Sequence, residues 1–543
     1  CCTLMPMLRW SLVAVLAGVL IALPRAQSGE PLGTLTFPTS GAARAQPDFI
    51  RGVAWLHSFG YEEAIDAFRL AQKLDPGFVM AYWGESLAFS QPLWMFEEPD
   101  KGRAALAKLG ATPQARMAWA KTPREQGFLR AVEALWGPGD TAARARAYAE
   151  QMARVAADNP TDDEAQVFYA LALLGTMPTG DAALPIRRQA GAIAEAVFAR
   201  NPNHPGAAHY ILHAYDHVTL APKALAAARA YAKIAPAASH ALHMPAHAFV
   251  QLGLWDEAAA TDEASWKVSI AWASNKKLSV AIRDYHSLTW LQYEWLQQGR
   301  FASAKGAIAF IDEAIKAAKP GDMPGGHHIG DSEIGRGSGP MALRNDKGSM
   351  RARYVIESER WNEMKGQTSF DNIDELFAVG LSAVNLGDAA RVQATIGQLQ
   401  TAAGANQPPE LREQAAVLLA EMEALDLFAQ GKHAGAFARL DQAYALQSKM
   451  PKPIGRPYPV KAVDELYGEL LLQVGRAKEA ATWFDRTLAR TPNRSRALLG
   501  LARAQRNAGN AAAAKTAYQR FLANWKLADP ALPELIEARQ AIK

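Results

Sequence analysis

The feature that most constrains the fold of this 543-residue chain is a spacing that occurs near both of its ends. In GYEEAIDAFRLAQKLDP, Gly60 to Pro76, the side chains of Ala64, Phe68 and Ala71 share one face of a helix that proline ends. Upstream, Gly52 sits inside a preceding helix that would pack antiparallel to it. Gly468, Ala480, Phe484 and Pro492 repeat the intervals, and Ala514 and Tyr518 continue the frame one unit later. Such a pair of helices spans about 34 residues and cannot bury its apolar face alone, so it requires stacked neighbours. The same length separates Pro202 from Pro236 and Ala224 from Ala258, and further pairs turn at QQGRF (Gln297–Phe301), NLGDA (Asn385–Ala389) and AQGKH (Ala429–His433). An array of helix pairs is therefore predicted, in a chain too long for one compact core.

This frame resembles the tetratricopeptide repeat superfamily. The resemblance implies an all-α fold, a right-handed α-solenoid of helix–turn–helix repeats, over most of residues 46–543. It also implies a concave face built from the first helix of each pair. Residues 1–26 then form a leader and 27–45 a linker. An N-terminal array covers 46–318 and contains a histidine cluster at 204–286. A glycine- and proline-rich loop follows at 319–340, and a C-terminal array covers 341–543. The loop, KPGDMPGGHHIGDSEIGRGSGP, cannot be helical and is expected to act as a cover over the histidines.

The leader reads as a secretory signal. Arg9 precedes an apolar run from Trp10 to Pro24, long enough for export but marginal for a spanning helix, which needs about 20 residues. Cleavage near Ala26 predicts a periplasmic or secreted bacterial protein, with membrane contact only through an uncleaved leader. Formal net charge is +4, and Arg9 and Arg25 supply two of those charges. The nearly neutral remainder excludes a nucleic-acid footprint. Cys1 and Cys2 precede Met5, and no cysteine lies downstream. Disulfides, thiolate metal sites and a cysteine nucleophile are thereby excluded from the rest of the chain.

Chemistry concentrates in the histidines. Eight of the chain's 12 lie between His204 and His286. His209 and His213 form an i, i+4 pair on one helix face, and His243 and His247 repeat that pair one unit later. His240 stands near the start of the second of these helices and His286 near the start of the next. In tetratricopeptide domains the corresponding places carry the side chains that grip a ligand, so the resemblance implies that all six converge on one concave patch. Six imidazoles can supply three ligands to each of two ions, or four to one ion with spares. Imidazole is the commonest protein ligand for zinc and copper, and copper is favoured here over zinc or iron because the site is all imidazole and the compartment oxidising. Asp216, one turn past His213, is placed to orient a ligand imidazole from behind or to coordinate directly. The wording around them, HYILHAYDH (His209–His217), SHALHMPAHAFVQLGLW (Ser239–Trp255) and DYHSLTWLQYEWLQQG (Asp284–Gly299), resembles a recurrent branch of exported bacterial repeat proteins. Pro245 either kinks the helix begun at Ser239 or starts it, leaving His240 and His243 on a loop.

Other residues read as structure. His57, His204 and His433 are expected to be packed or solvated, His327 and His328 to have no fixed role, and tryptophans such as Trp94 and Trp290 to be packing. No phosphate-binding glycine loop, G-x-S-x-G or H-E-x-x-H is present. Two functions follow. One is a periplasmic metalloprotein and, if an enzyme, a copper-dependent oxidoreductase or a metal-dependent hydrolase. The other is a non-enzymatic scaffold whose groove takes a peptide or an envelope protein.

Overall fold

The computed structural model describes residues 31–320, 322 and 339–543. The leader, most of the glycine-rich loop with its expected cover role, and His327 and His328 lie outside those residues. The fold is all-α: among the described residues 25 α-helices follow one another, most packed on their neighbours in sequence, and the one sheet is a two-stranded ribbon pairing Ser90–Gln91 with Phe96–Glu97. No helix among them is long and apolar enough to cross a membrane.

The repeat spacing shows its physical reason at both ends. Phe68, on helix Tyr61–Leu74, fills the gap between Gly52 on helix Gln46–His57 and Gly84 on helix Val79–Leu87. A β-carbon at Gly52 would lie 2.7 Å from the ring, and one at Gly84 2.4 Å. Phe484, on helix Ala477–Arg490, is held identically between Gly468 and Gly500. One aromatic ring thus locks a helix pair to the next pair, and the array is a solenoid of tetratricopeptide-like units. Gly500→Ala would place its methyl 2.3 Å from Phe484. Overpacking of about 1–3 kcal/mol exceeds the roughly 1 kcal/mol gained in helix propensity, so melting temperature should fall. Gly397→Ala, in a helix with open space around the site, should raise it instead.

One expectation needs correction. Residues 27–45 are not a free linker where they are described. Phe37 is buried among Phe49, Trp83, Phe128 and Phe168, because an aromatic side chain beside an apolar array buries more readily than it stays in water. The curved array also returns on itself. Trp255 Nε1 donates to the Asn493 carbonyl at 2.9 Å, Ser495 Oγ donates to the Gln297 carbonyl at 2.6 Å, and Trp525 lies over Gly299. The C-terminal pairs thereby back the helices that carry the histidines.

Candidate metal centre

Three first helices carry the six histidines: Pro205–Tyr215, Ser239–Leu252 and Tyr285–Gln297. Pro245 lies inside the second, which begins at Ser239, so His240 and His243 are helical. The structure sorts the six into two clusters of three, not one patch of four plus two. In the first, His209 Nε2 is 2.9 Å from His213 Nε2 and 3.0 Å from His240 Nε2. In the second, His243 Nε2 is 3.1 Å from His247 Nε2 and 2.9 Å from His286 Nε2. Nitrogens around a tetrahedral ion at about 2.0–2.1 Å stand roughly 3.3 Å apart, close to this spacing.

The outer ring nitrogens decide which tautomer each imidazole adopts. His243 Nδ1 donates to Asp262 Oδ1 at 2.7 Å, and His247 Nδ1 donates to Asp216 Oδ2 at 3.0 Å. Asp216 is itself steadied by Gln251, whose amide donates to its other oxygen at 2.7 Å. His209 Nδ1 donates to the His57 carbonyl at 2.6 Å. With Nδ1 protonated, each Nε2 presents a lone pair inward. The lone pairs of His243 and His247 face one another across 3.1 Å, an arrangement that calls for a positive centre between them.

Burial corrects the picture of an open concave patch. His209 is fully buried, and His240, His243 and His247 are nearly so. The Phe59 ring centroid lies 4.3 Å from that of His209 and 5.4 Å from those of His213 and His240, with Trp94 beside the last two. Trp290 stacks on His247 at 4.4 Å and borders His243 and His286. Phe59 and Trp94 come from outside the three histidine helices, whereas Trp290 stands one turn after His286 on the same helix. Behind Asp262 lies Glu294. Burial, and for Glu294 the neighbouring Asp262, pushes both carboxyls well above their usual range.

A third group, His57, Glu164 and His204, has metal-like spacing but the opposite tautomer logic. His204 caps helix Pro205–Tyr215, its Nδ1 accepting the Ala207 amide at 3.2 Å. Its Nε2 therefore carries the hydrogen and donates to Glu164 Oε1 at 3.0 Å. A metal at Nε2 would force the proton onto Nδ1 and break the cap. His57 Nε2 donates to Glu164 Oε2 at 2.8 Å, and Tyr210 Oη donates to His57 Nδ1 at 2.9 Å. The group is a hydrogen-bonded anchor. His433 is exposed and stacks on Phe428, and His217 pairs with Asp181.

No protein-family model matches the chain, and no curated protein matches it. Solved structures that align over most of it include the Cut9–Hcn1 hetero-tetramer of the APC/C, at 12% identity over 94% of this chain and 79% of that one, TM-score 0.29. Yeast Tom70 aligns at 11% identity over 90% and 86%, TM-score 0.28. The human IFIT1 dimer with m7Gppp-AAAA aligns at 12% identity over 88% and 99%, TM-score 0.33. At these scores the likeness is too loose to bear on function. Fold and site together define a class: a tetratricopeptide-like solenoid with two buried three-histidine clusters.

Proposed function

We propose that the chain is an exported metalloprotein that holds one transition-metal ion in each three-histidine cluster, with copper favoured over zinc or iron. The observation that carries this reading is the facing of His243 and His247 Nε2 across 3.1 Å while both Nδ1 atoms donate to carboxylates. Neutral imidazole donors suit copper, zinc and iron, and copper(II) binds most tightly of the three to a given nitrogen site. His240 and His243 are three residues apart on one helix, with β-carbons about 5–6 Å apart, so the two centres adjoin. Adjacent three-imidazole centres suit dioxygen chemistry, and a single one suits hydrolysis or storage. Arg9 and the apolar run after it support export.

The repeat fold itself supports a protein-interaction scaffold, and its outer faces can serve that role beside the metal. Phe59, Trp94 and Trp290 cover much of the histidine clusters, which leaves the half-buried His213 and His286 as the rings nearest a peptide groove. The test is elemental analysis of purified protein, before and after stripping and reloading with copper(II). Two ions per chain are expected. Protein that retains no copper, zinc or iron after reloading would overturn the metalloprotein reading and leave the scaffold.

A further inference from the structure

The first cluster is held by residues that do not belong to it, and they meet at one carboxylate. Glu164, fully buried on helix Asp163–Leu174, accepts from two imidazoles at once. Through His204 it fixes the N-cap of helix Pro205–Tyr215, the helix that carries His209 and His213. Through His57 it fixes the end of helix Gln46–His57, where the amides of Ser58, Phe59 and Gly60 take up the Ala54, Leu56 and Trp55 carbonyls. The His57 carbonyl is the acceptor for His209 Nδ1. His57 is clamped on its other side by the Tyr210 hydroxyl and presses against Gly206, where a β-carbon would lie 2.4 Å from Nδ1.

Two residues further on, Phe59 has φ +56°, in the left-handed region that costs a bulky side chain roughly 1–2 kcal/mol. Glycine would turn the chain there without that cost. Phenylalanine instead lays its ring against all three imidazoles of the first cluster, at 4.3–5.4 Å between centroids. A strained, fully enclosed aromatic at this point has a use that a turn does not explain.

We propose that Glu164, His57 and Phe59 form a clasp that positions the first cluster: Glu164 locks helix start and carbonyl together, and Phe59 closes over the ring edges. This rests on the metalloprotein reading above. These are positioning residues; none supplies a ligand nitrogen to the cluster. Glu164→Gln removes the shared charge and turns one acceptor into an NH2 donor facing an imidazole N–H; His204 cannot change tautomer without losing the Ala207 cap, and His57 can do so only by reversing its bond with Tyr210. Phe59→Gly keeps the turn and removes the ring.

The experiment measures copper(II) dissociation constants in the full chain by competition with a chromophoric chelator. A His247→Ala background isolates the first cluster and a His213→Ala background the second. Glu164→Gln should weaken the first cluster 10–100-fold, the range for removing an outer partner of a ligand histidine, and change the second less than threefold. Phe59→Gly should release copper from the first cluster at least tenfold faster while the metal-free protein melts no lower than Phe59→Ala, and Phe59→Tyr should restore retention. A purely structural role would instead lower melting temperature and weaken both clusters alike. Unchanged first-cluster affinity in Glu164→Gln and Phe59→Gly, with parent protein binding two ions, overturns the clasp and leaves the metal reading intact. Parent protein that binds none overturns both.

Discussion

His247→Ala should reduce bound metal from two ions per chain to one, with helical content unchanged. The imidazole closes the second cluster from below, with Nε2 3.1 Å from that of His243, Nδ1 on Asp216 and its face on Trp290. Removing it leaves His243 and His286, and a two-imidazole site binds far more weakly than three convergent donors. Alanine is a better helix former than histidine, and Gln251 continues to hold Asp216, so the backbone has no reason to change. His213→Ala should remove the other ion by the same argument, the double variant both, and exposed His433→Ala neither. Metal analysis with far-ultraviolet circular dichroism checks all four proteins. Loss of both ions in either single variant would mean one shared centre instead of two, and retention of both would remove the histidines from the metal site.

The helix pairs were legible because Gly52, Phe68, Gly468 and Phe484 do one packing job, and that job dictates their intervals. The six histidines were legible for the same reason: i, i+4 spacing fixes a common face, and repeat phase aligns the faces. His240 reaches back to His209 while His243, one turn on, reaches forward to His286, and that split depends on the offset between neighbouring helices. Three and three was one of the two arrangements that the count of imidazoles left open, and it was the membership of each trio that could not be read; nor did sequence single out Asp262 or Glu164, since a helical protein of this size is full of carboxylates. Only burial against an imidazole distinguishes these two. Phe37 and Phe59 were missed because a lone aromatic outside the periodic pattern does not name its partner. The return of the C-terminal pairs onto the middle of the array was invisible too, because Trp255 and Asn493 meet across 238 residues without a local signal.

That return contact supplies the remaining large effect. Arg494 is 1% exposed, and its guanidinium pairs with Glu357 at 2.7 Å and with Glu465 at 2.6 and 3.0 Å. It also donates to the Tyr293 hydroxyl at 3.1 Å, on the helix that carries His286 and Trp290. Arg494→Met should destabilise the protein by about 3–5 kcal/mol, because two buried carboxylates lose their main counter-charge. The deficit should depend on pH with a definite sign. Burial alone pushes Glu465 up, but Arg494 and then Lys461 pull it well below the usual carboxylate range, so in the parent its stabilising contribution is complete above the unfolded value and is lost on acidification. In the variant the larger pull is gone and burial acts upward, so protonation relieves the site. The gap between variant and parent should be widest near neutral pH and narrow as pH falls towards about 4–5, where glutamate ordinarily titrates. Adding Glu465→Gln and Glu357→Gln should recover part of the loss, since the two carboxylates stranded without Arg494 are neutralised while Lys461 keeps Glu469 as its partner. Copper affinity of the second cluster should fall with Arg494→Met and return in the triple variant, because Tyr293 ties this junction to the His286 helix. A melting temperature unchanged by Arg494→Met, or a deficit that grows on acidification, would show that the C-terminal pairs do not hold that helix through this cluster.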